Sequence, residues 1–172
     1  MKVSEKETQM KTSMTNWALA GLLVLAASGA SAATTVHYVE PEHFTDVPFT
    51  PWEREDVLQH ITDHFVELGK ALPPGQDLRI DVLDVDLAGR EIPNLRNGRE
   101  IRILKGAADW PRMRLRYAVE QNGQVIKSGE AQIQDMDYQN HLNRYFDSEP
   151  LRYEKQMIDD WFEKTIGPIR RR

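Results

Sequence analysis

Two hydrophobic periodicities divide this chain. Between Pro51 and Leu72, Val57, Ile61, Phe65, Leu68 and Leu72 recur at helical spacing, so one stripe of a helix faces a core. Thr50-Pro51-Trp52-Glu53 supplies an N-cap hydroxyl, a proline at the first helical position and a glutamate at N3. A capping box is therefore expected to open this helix, and Pro73-Pro74-Gly75 to end it. Ahead of it, the β-branched run Thr34 to Val39 predicts a strand, followed by a loop carrying Pro41, Pro48 and Pro51. From Asp77 to Leu87 the period becomes two: Leu78, Ile80 and Val82 point one way, Leu83, Val85 and Leu87 the other. The slip at Val82-Leu83 predicts a β-bulge or a strand buried on both faces, and both place the strand inside its sheet. Ile101 to Leu104 predicts a further short strand, and Ala88 to Glu100 an exposed loop.

Two alternating runs between Arg112 and Ile133 flank Gln121-Asn122-Gly123 and predict a hairpin. A two-residue turn at Asn122-Gly123 would set Leu115 opposite Glu130 and Met113 opposite Gln132, mixing apolar with polar on one face. A three-residue loop with Gly123 left-handed is expected instead, placing Val119 opposite Val125, Leu115 opposite Gly129, Met113 opposite Ala131, and Arg114 beside Glu130. Gly129 and Ala131 leave room for a helix across the sheet. Ser148-Glu149-Pro150 starts one, with Leu151, Ile158, Trp161, Phe162 and Ile166 as its stripe and Gly167-Pro168 as its stop. The order β-α-β-β-β-β-α predicts an α+β fold: two layers, a mostly antiparallel sheet of about five strands with two helices on one face.

The first residues behave differently. Residues 17–27 form an unbroken apolar run, preceded by Lys2, Lys6 and Lys11 and followed by Ser28-Gly29-Ala30-Ser31-Ala32. A short apolar core and an A-x-A site predict a signal peptide over residues 1–32, cleaved after Ala32, with residues 33–172 as a single domain in the periplasm. The run falls short of the roughly 20 apolar residues that span a bilayer, so no integral membrane segment is expected after cleavage. With Glu5 and Glu7 the leader carries one net positive charge, so the remainder is one unit more negative than the whole chain's −5. That balance speaks against nucleic acid as the main partner. Cysteine is absent, which excludes thiolate nucleophiles, Cys-ligated zinc, iron–sulfur clusters and a lipoprotein anchor. No G-x-S-x-G motif or Gly-rich phosphate loop occurs, and no cofactor is expected.

Four groups of residues carry candidate chemistry. His60 and His64, four apart on the first helix, can offer two nitrogens to one metal ion, but zinc needs three or four ligands and no glutamate follows His60 as H-E-x-x-H requires. Their other role is as half-buried spacers beside the stripe. Asp81, Asp84 and Asp86 can bind a divalent cation, act as an acid–base pair, or form a salt-bridge network. Arg112, Arg114 and Arg116 alternate on the outer hairpin face beside Trp110, with Arg99 and Arg102 on a neighbouring strand. Arginine forks suit carboxylate or phosphate, although pairing with Glu130 and the aspartates would make the same face merely soluble. Finally, Gln134 to Asp147 is long for a connection and rich in Met136, Tyr138, His141, Leu142, Tyr145 and Phe146, so it is either a partner-binding loop or an unrecognised helix tucking those side chains away. The combination favours a non-enzymatic binding or envelope-accessory module, holding an envelope protein or an anionic polymer through Arg112, Arg114, Arg116, Trp110, Tyr138 and Tyr145. The alternative is a metal-dependent hydrolase or metal-handling protein that uses His60 and His64.

Val36-His37-Tyr38-Val39 with Pro41-Glu42-His43-Phe44-Thr45-Asp46, Leu83 to Gly89, Trp110-Pro111-Arg112-Met113, and Ser148 to Lys155 leading to Asp159-Asp160-Trp161-Phe162 resemble a family of exported proteobacterial proteins, domain of unknown function 3016. The resemblance covers nearly the whole chain after the leader. It implies a single-domain periplasmic protein and transfers no activity, cofactor or catalytic residue. The element order is also similar, more loosely, to small envelope domains that assist outer-membrane assembly or activate cell-wall synthases.

Overall fold

The computed structural model describes residues 32–93, 100–106 and 108–169; the expected leader lies outside them but for Ala32. Strand β1 (Thr34–Tyr38), helix α1 (Pro51–Gly69) and strand β2 (Gln76–Asp86) form a parallel β-α-β unit in which Val36 lies opposite Ile80. Strands β3 (Arg90–Pro93) and β4 (Glu100–Ile103) follow, then β5 (Arg112–Gln121), β6 (Gln124–Gln134) and helix α2 (Arg152–Thr165). The main sheet has the order β1-β2-β5-β6, antiparallel except for its first pair, and β3 and β4 form a ribbon of their own. The α+β class and its two layers are as expected. The sheet is smaller than predicted, because Ile101 and its neighbours pair with β3 instead of joining it.

One core holds the layers together. Leu78, Ile80, Val82 and Val85 of β2, Met113 and Leu115 of β5, Ile61, Phe65 and Leu68 of α1, and Ile158, Trp161 and Phe162 of α2 belong to one buried cluster. The helix layer sits close: a Cβ on Gly69 would meet Thr34 Oγ1 at 1.8 Å, so a larger residue there requires the Thr34 side chain to turn away or α1 to shift from β1. Gly89 (φ +81°) has a similar constraint, since a Cβ there would lie 2.5 Å from the Ile103 carbonyl oxygen of the ribbon.

Several local expectations change. The slip at Val82-Leu83 is a β-bulge, with register shifting between Val82 and Asp84, and β2 is central as predicted. Leu83 is the bulged residue, so it lines the open face with Asp84 and does not join Val85 and Leu87 in the core. Thr50 is the N-cap of α1, but its hydroxyl caps nothing, and the capping box does not form. Arg90 to Pro93, placed in a loop, is a strand; nearby Gly and Pro masked its short run.

The hairpin keeps the expected parity by another route. Asn122 (φ 53°) and Gly123 (φ 75°) make a two-residue turn with Gln121 opposite Gln124, and a bulge at Ile126 then shifts the register. Val119 therefore faces Lys127, Leu115 faces Ala131 and Met113 faces Ile133, in place of the predicted Val125, Gly129 and Ala131. Leu115 and Met113 still meet small or apolar partners, because the surplus residue lies in β6 and not in the loop, whereas Val119 now lies opposite a lysine. Arg116, not Arg114, pairs with Glu130.

Helix α2 also fastens the turn after β2. Glu154, 4% exposed, accepts the Ala88 N–H at 2.7 Å. Burial raises its pKa, against the lowering effect of that N–H and of Arg102. A carboxyl group whose folded pKa is raised binds its proton more tightly when folded, so stability is lost as pH climbs past the unfolded value. Glu154→Gln, which keeps an acceptor for Ala88, is therefore expected to raise Tm at about pH 8 and to change it little at about pH 4. A Tm difference that is the same at both pH values would show that no proton is linked to this site.

Candidate functional site

The helices cover one face of the sheet and leave the other open. On that face β5 carries three arginines in register with carboxylates on β2: Arg112 opposite Asp86, Arg114 opposite Asp84 and Arg116 opposite Asp81. Only the first pair closes. Arg112 Nε donates to Asp86 Oδ2 at 2.8 Å, and its Nη2 reaches the same oxygen. Asp84 is engaged elsewhere, since the backbone N–H and the hydroxyl of Thr45 each donate to one of its oxygens at 2.8 Å. Asp81 stands 3.8 Å from His37 Nδ1, and Glu120 3.8 Å from Arg79. Arg114 and Arg116 are exposed, and among the described residues neither forms an ion pair. The expected salt-bridge network is thus realised for Arg112 alone.

Bulge and loop geometry shape the space in front of these arginines. Four depressions share walls and merge into a trough along β5. The first, of about 360 Å³, lies near the hairpin tip between Arg79, Arg116 and Val125. The largest, about 600 Å³, is framed by Phe44, Leu83, Arg114, Arg116 and Glu130. A third, about 260 Å³, holds Thr45, Asp84, Asp86 and Arg112. The fourth, about 420 Å³, continues past Arg112 to Gly89, Arg90, Lys105 and Asp109. Asp109 is fully occupied: the N–H groups of Lys105 and Gly106 and the Tyr138 hydroxyl donate to it. Burial works the other way, but these donors hold its pKa below the usual range. Exposed cations therefore outnumber available carboxylates along the trough, in a protein whose overall charge is negative.

The other candidates are placed as follows. Trp110 lines none of the four depressions; the Arg112 guanidinium lies over its ring, 5.5 Å from the centroid. Tyr138 is buried, with its hydroxyl between Asp109 and the Gly106 N–H, and burial pushes its pKa up to about 12. Tyr145 is half-buried and donates to Asp159 Oδ2 at 2.8 Å. The Gln134 to Asp147 segment therefore turns two tyrosines inward without forming a helix, and leaves Met136, Leu142 and Phe146 exposed. Arg102 sits on the ribbon, paired with Asp46 and Glu91, and Arg99 lies outside the described residues.

His60 and His64 do not meet a common third ligand. His64 is buried and its Nε2 donates to Asp159 Oδ1 at 2.9 Å, whereas His60 is more exposed and stands 3.8 Å from Asp56. Among the described residues no group of three His, Asp or Glu side chains is gathered as a metal ion requires. Asp159 is instead the hub of a polar cluster: His64 from α1, Tyr145 from the long segment, and Arg144 Nη1 at 3.7 Å converge on it. Sequence reasoning missed this hub and Glu154. The available signal was an acidic residue in or beside the apolar stripe of a buried helix, since such a carboxyl group needs partners.

Among the described residues no helix is long and apolar enough to cross a membrane. No curated protein and no solved structure matches the chain. A family model does: it spans residues 32–164, which take in all six strands, α1, the arginine-lined trough, the Asp159 hub and all but the last residue of α2. The chain carrying this open-faced sheet thus belongs to the family described as Protein of unknown function (DUF3016).

Proposed function

We propose that this protein is a non-enzymatic binding or envelope-accessory module of the periplasm, which holds an anionic partner in the trough on its open sheet face. The observation that carries this is the pair of exposed arginines, Arg114 and Arg116, left without ion pairs while the adjacent Asp84 and Asp86 are satisfied by Thr45 and Arg112. Two free guanidinium forks on one strand, about 7 Å apart along it, are poised for carboxylate or phosphate. Asp84 and Asp86 are tied into structural bonds, which supports binding in preference to acid–base chemistry by that pair. The apolar run of residues 17–27 and the A-x-A site supply the periplasmic part of the proposal.

The test uses poly-L-glutamate as the anionic probe, with binding followed by fluorescence anisotropy at low salt. Wild type is expected to bind with an affinity that falls as salt rises, and the Arg114→Glu/Arg116→Glu variant to lose at least about tenfold. Equal binding by the two, with the variant folded, would overturn the proposed site. Expression of the full chain is expected to yield protein lacking residues 1–32 in the osmotic-shock fluid; the uncleaved chain in the cytosol would overturn the location.

A further inference from the structure

We infer that the free edge of β6 is a strand-addition site for an extended polypeptide segment whose residues alternate between apolar and acidic. β6 is the last strand of the sheet, and its outer edge has no partner among the described residues. It is 11 residues long, and every residue from Gln124 to Glu130 is exposed. Alternate residues of an edge strand turn their N–H and C=O groups outward, where they are a template for another strand unless something blocks them.

The usual blocks are missing. β6 contains no proline. Its bulge lies at the hairpin tip, so pairing with β5 runs unbroken from Lys127 to Gln134. Its only lysine does not guard the edge: Lys127 Nζ donates to the Thr165 carbonyl oxygen at the end of α2. By contrast, the opposite edge strand, β1, has five residues.

The two faces beside this edge specify the occupant. Towards the helices, Gly129 and Ala131 leave Tyr117 accessible from the side, and the Tyr117 ring stands 5.5 Å from Trp161. Apolar side chains of an added strand would meet that aromatic wall. Towards the open face, β6 presents Ser128, Glu130 and Gln132, with Arg114 and Arg116 on the next strand in. Backbones two strands apart are about 10 Å from each other, a gap that a glutamate and an arginine span when both extend across the face. A non-peptide polyanion fits this edge less well, because it has no amides to continue the sheet. The acidic alternate positions rest on the anionic trough proposed above; the edge pairing does not.

The probe is a labelled nine-residue peptide of alternating valine and glutamate, compared with the same peptide with every backbone amide N-methylated. The unmodified peptide is expected to bind at least about tenfold more tightly, and amide exchange over Lys127 to Gln132 to slow on its addition. Arg114→Glu/Arg116→Glu is expected to weaken that binding. Equal affinity for both peptides, or slowed exchange confined to β5 and β2, would overturn the edge while leaving the trough standing. Slowed exchange that rises with protein concentration alone would assign the edge to a second copy of this chain and overturn the inference. Protection of β6 with no effect of the arginine substitutions would remove the acidic preference and the anionic trough together.

Discussion

Replacing Trp161 with alanine is expected to destabilise the protein by about 3–5 kcal/mol, the range for large-to-small changes at a buried aromatic. The indole is 7% exposed and stands edge-on to Phe65 of α1 at 6.3 Å, to Tyr117 of β5 at 5.5 Å and to Phe162 at 6.4 Å. Its loss therefore loosens both helices from the sheet at once. Its Nε1 has no hydrogen-bond partner among the described residues, so Trp161→Phe forfeits only volume and is expected to cost about 1–2 kcal/mol. Urea unfolding monitored by circular dichroism measures both. A cost below about 1 kcal/mol for the alanine variant would show that the layers do not depend on this contact.

Asp159→Ala is the second large effect, expected at about 2–4 kcal/mol, because it leaves the His64 ring N–H and the Tyr145 hydroxyl without their shared acceptor in a buried setting. The mechanism is tested by a double-mutant cycle with Tyr145→Phe. If the hydroxyl depends on Asp159, the paired change costs at least about 1 kcal/mol less than the two single changes added. Strict additivity would show that the cluster does not act as a unit. Asp159→Asn, which keeps the acceptor for His64, is expected to fall between wild type and alanine.

What was legible in the sequence follows from where the determining interactions lie. Periodicity is local, so the α1 stripe, the α2 stripe and the phase slip in β2 could be taken from residue spacing alone. The hairpin parity was also legible, since only pairings that keep Met113 and Leu115 opposite apolar or small residues bury a consistent face. Spacing could not say whether the surplus residue sat in the turn or in the strand, and it proved to be Ile126 in the strand. The parallel pairing of β1 with β2 and the separate β3–β4 ribbon depend on contacts across the fold and left no local mark. The arginine row was visible as an alternation. Which arginines are neutralised required the register, because Asp84 turns to Thr45 and Asp86 to Arg112. The Asp159 hub joins residues 95 apart in the chain, and spacing has no access to that distance.

The bulge at Ile126 has one more implication, for how this hairpin tolerates changes in length. It takes up a single surplus residue between two stretches that are otherwise in regular register. Deleting Ile126 would leave Glu120 opposite Val125, Val119 opposite Lys127 and every later pair in place, so Ala131 and Ile133 would still point under the helices. A one-residue difference in length is therefore absorbed here by gaining or losing the bulge, without rewriting the second strand.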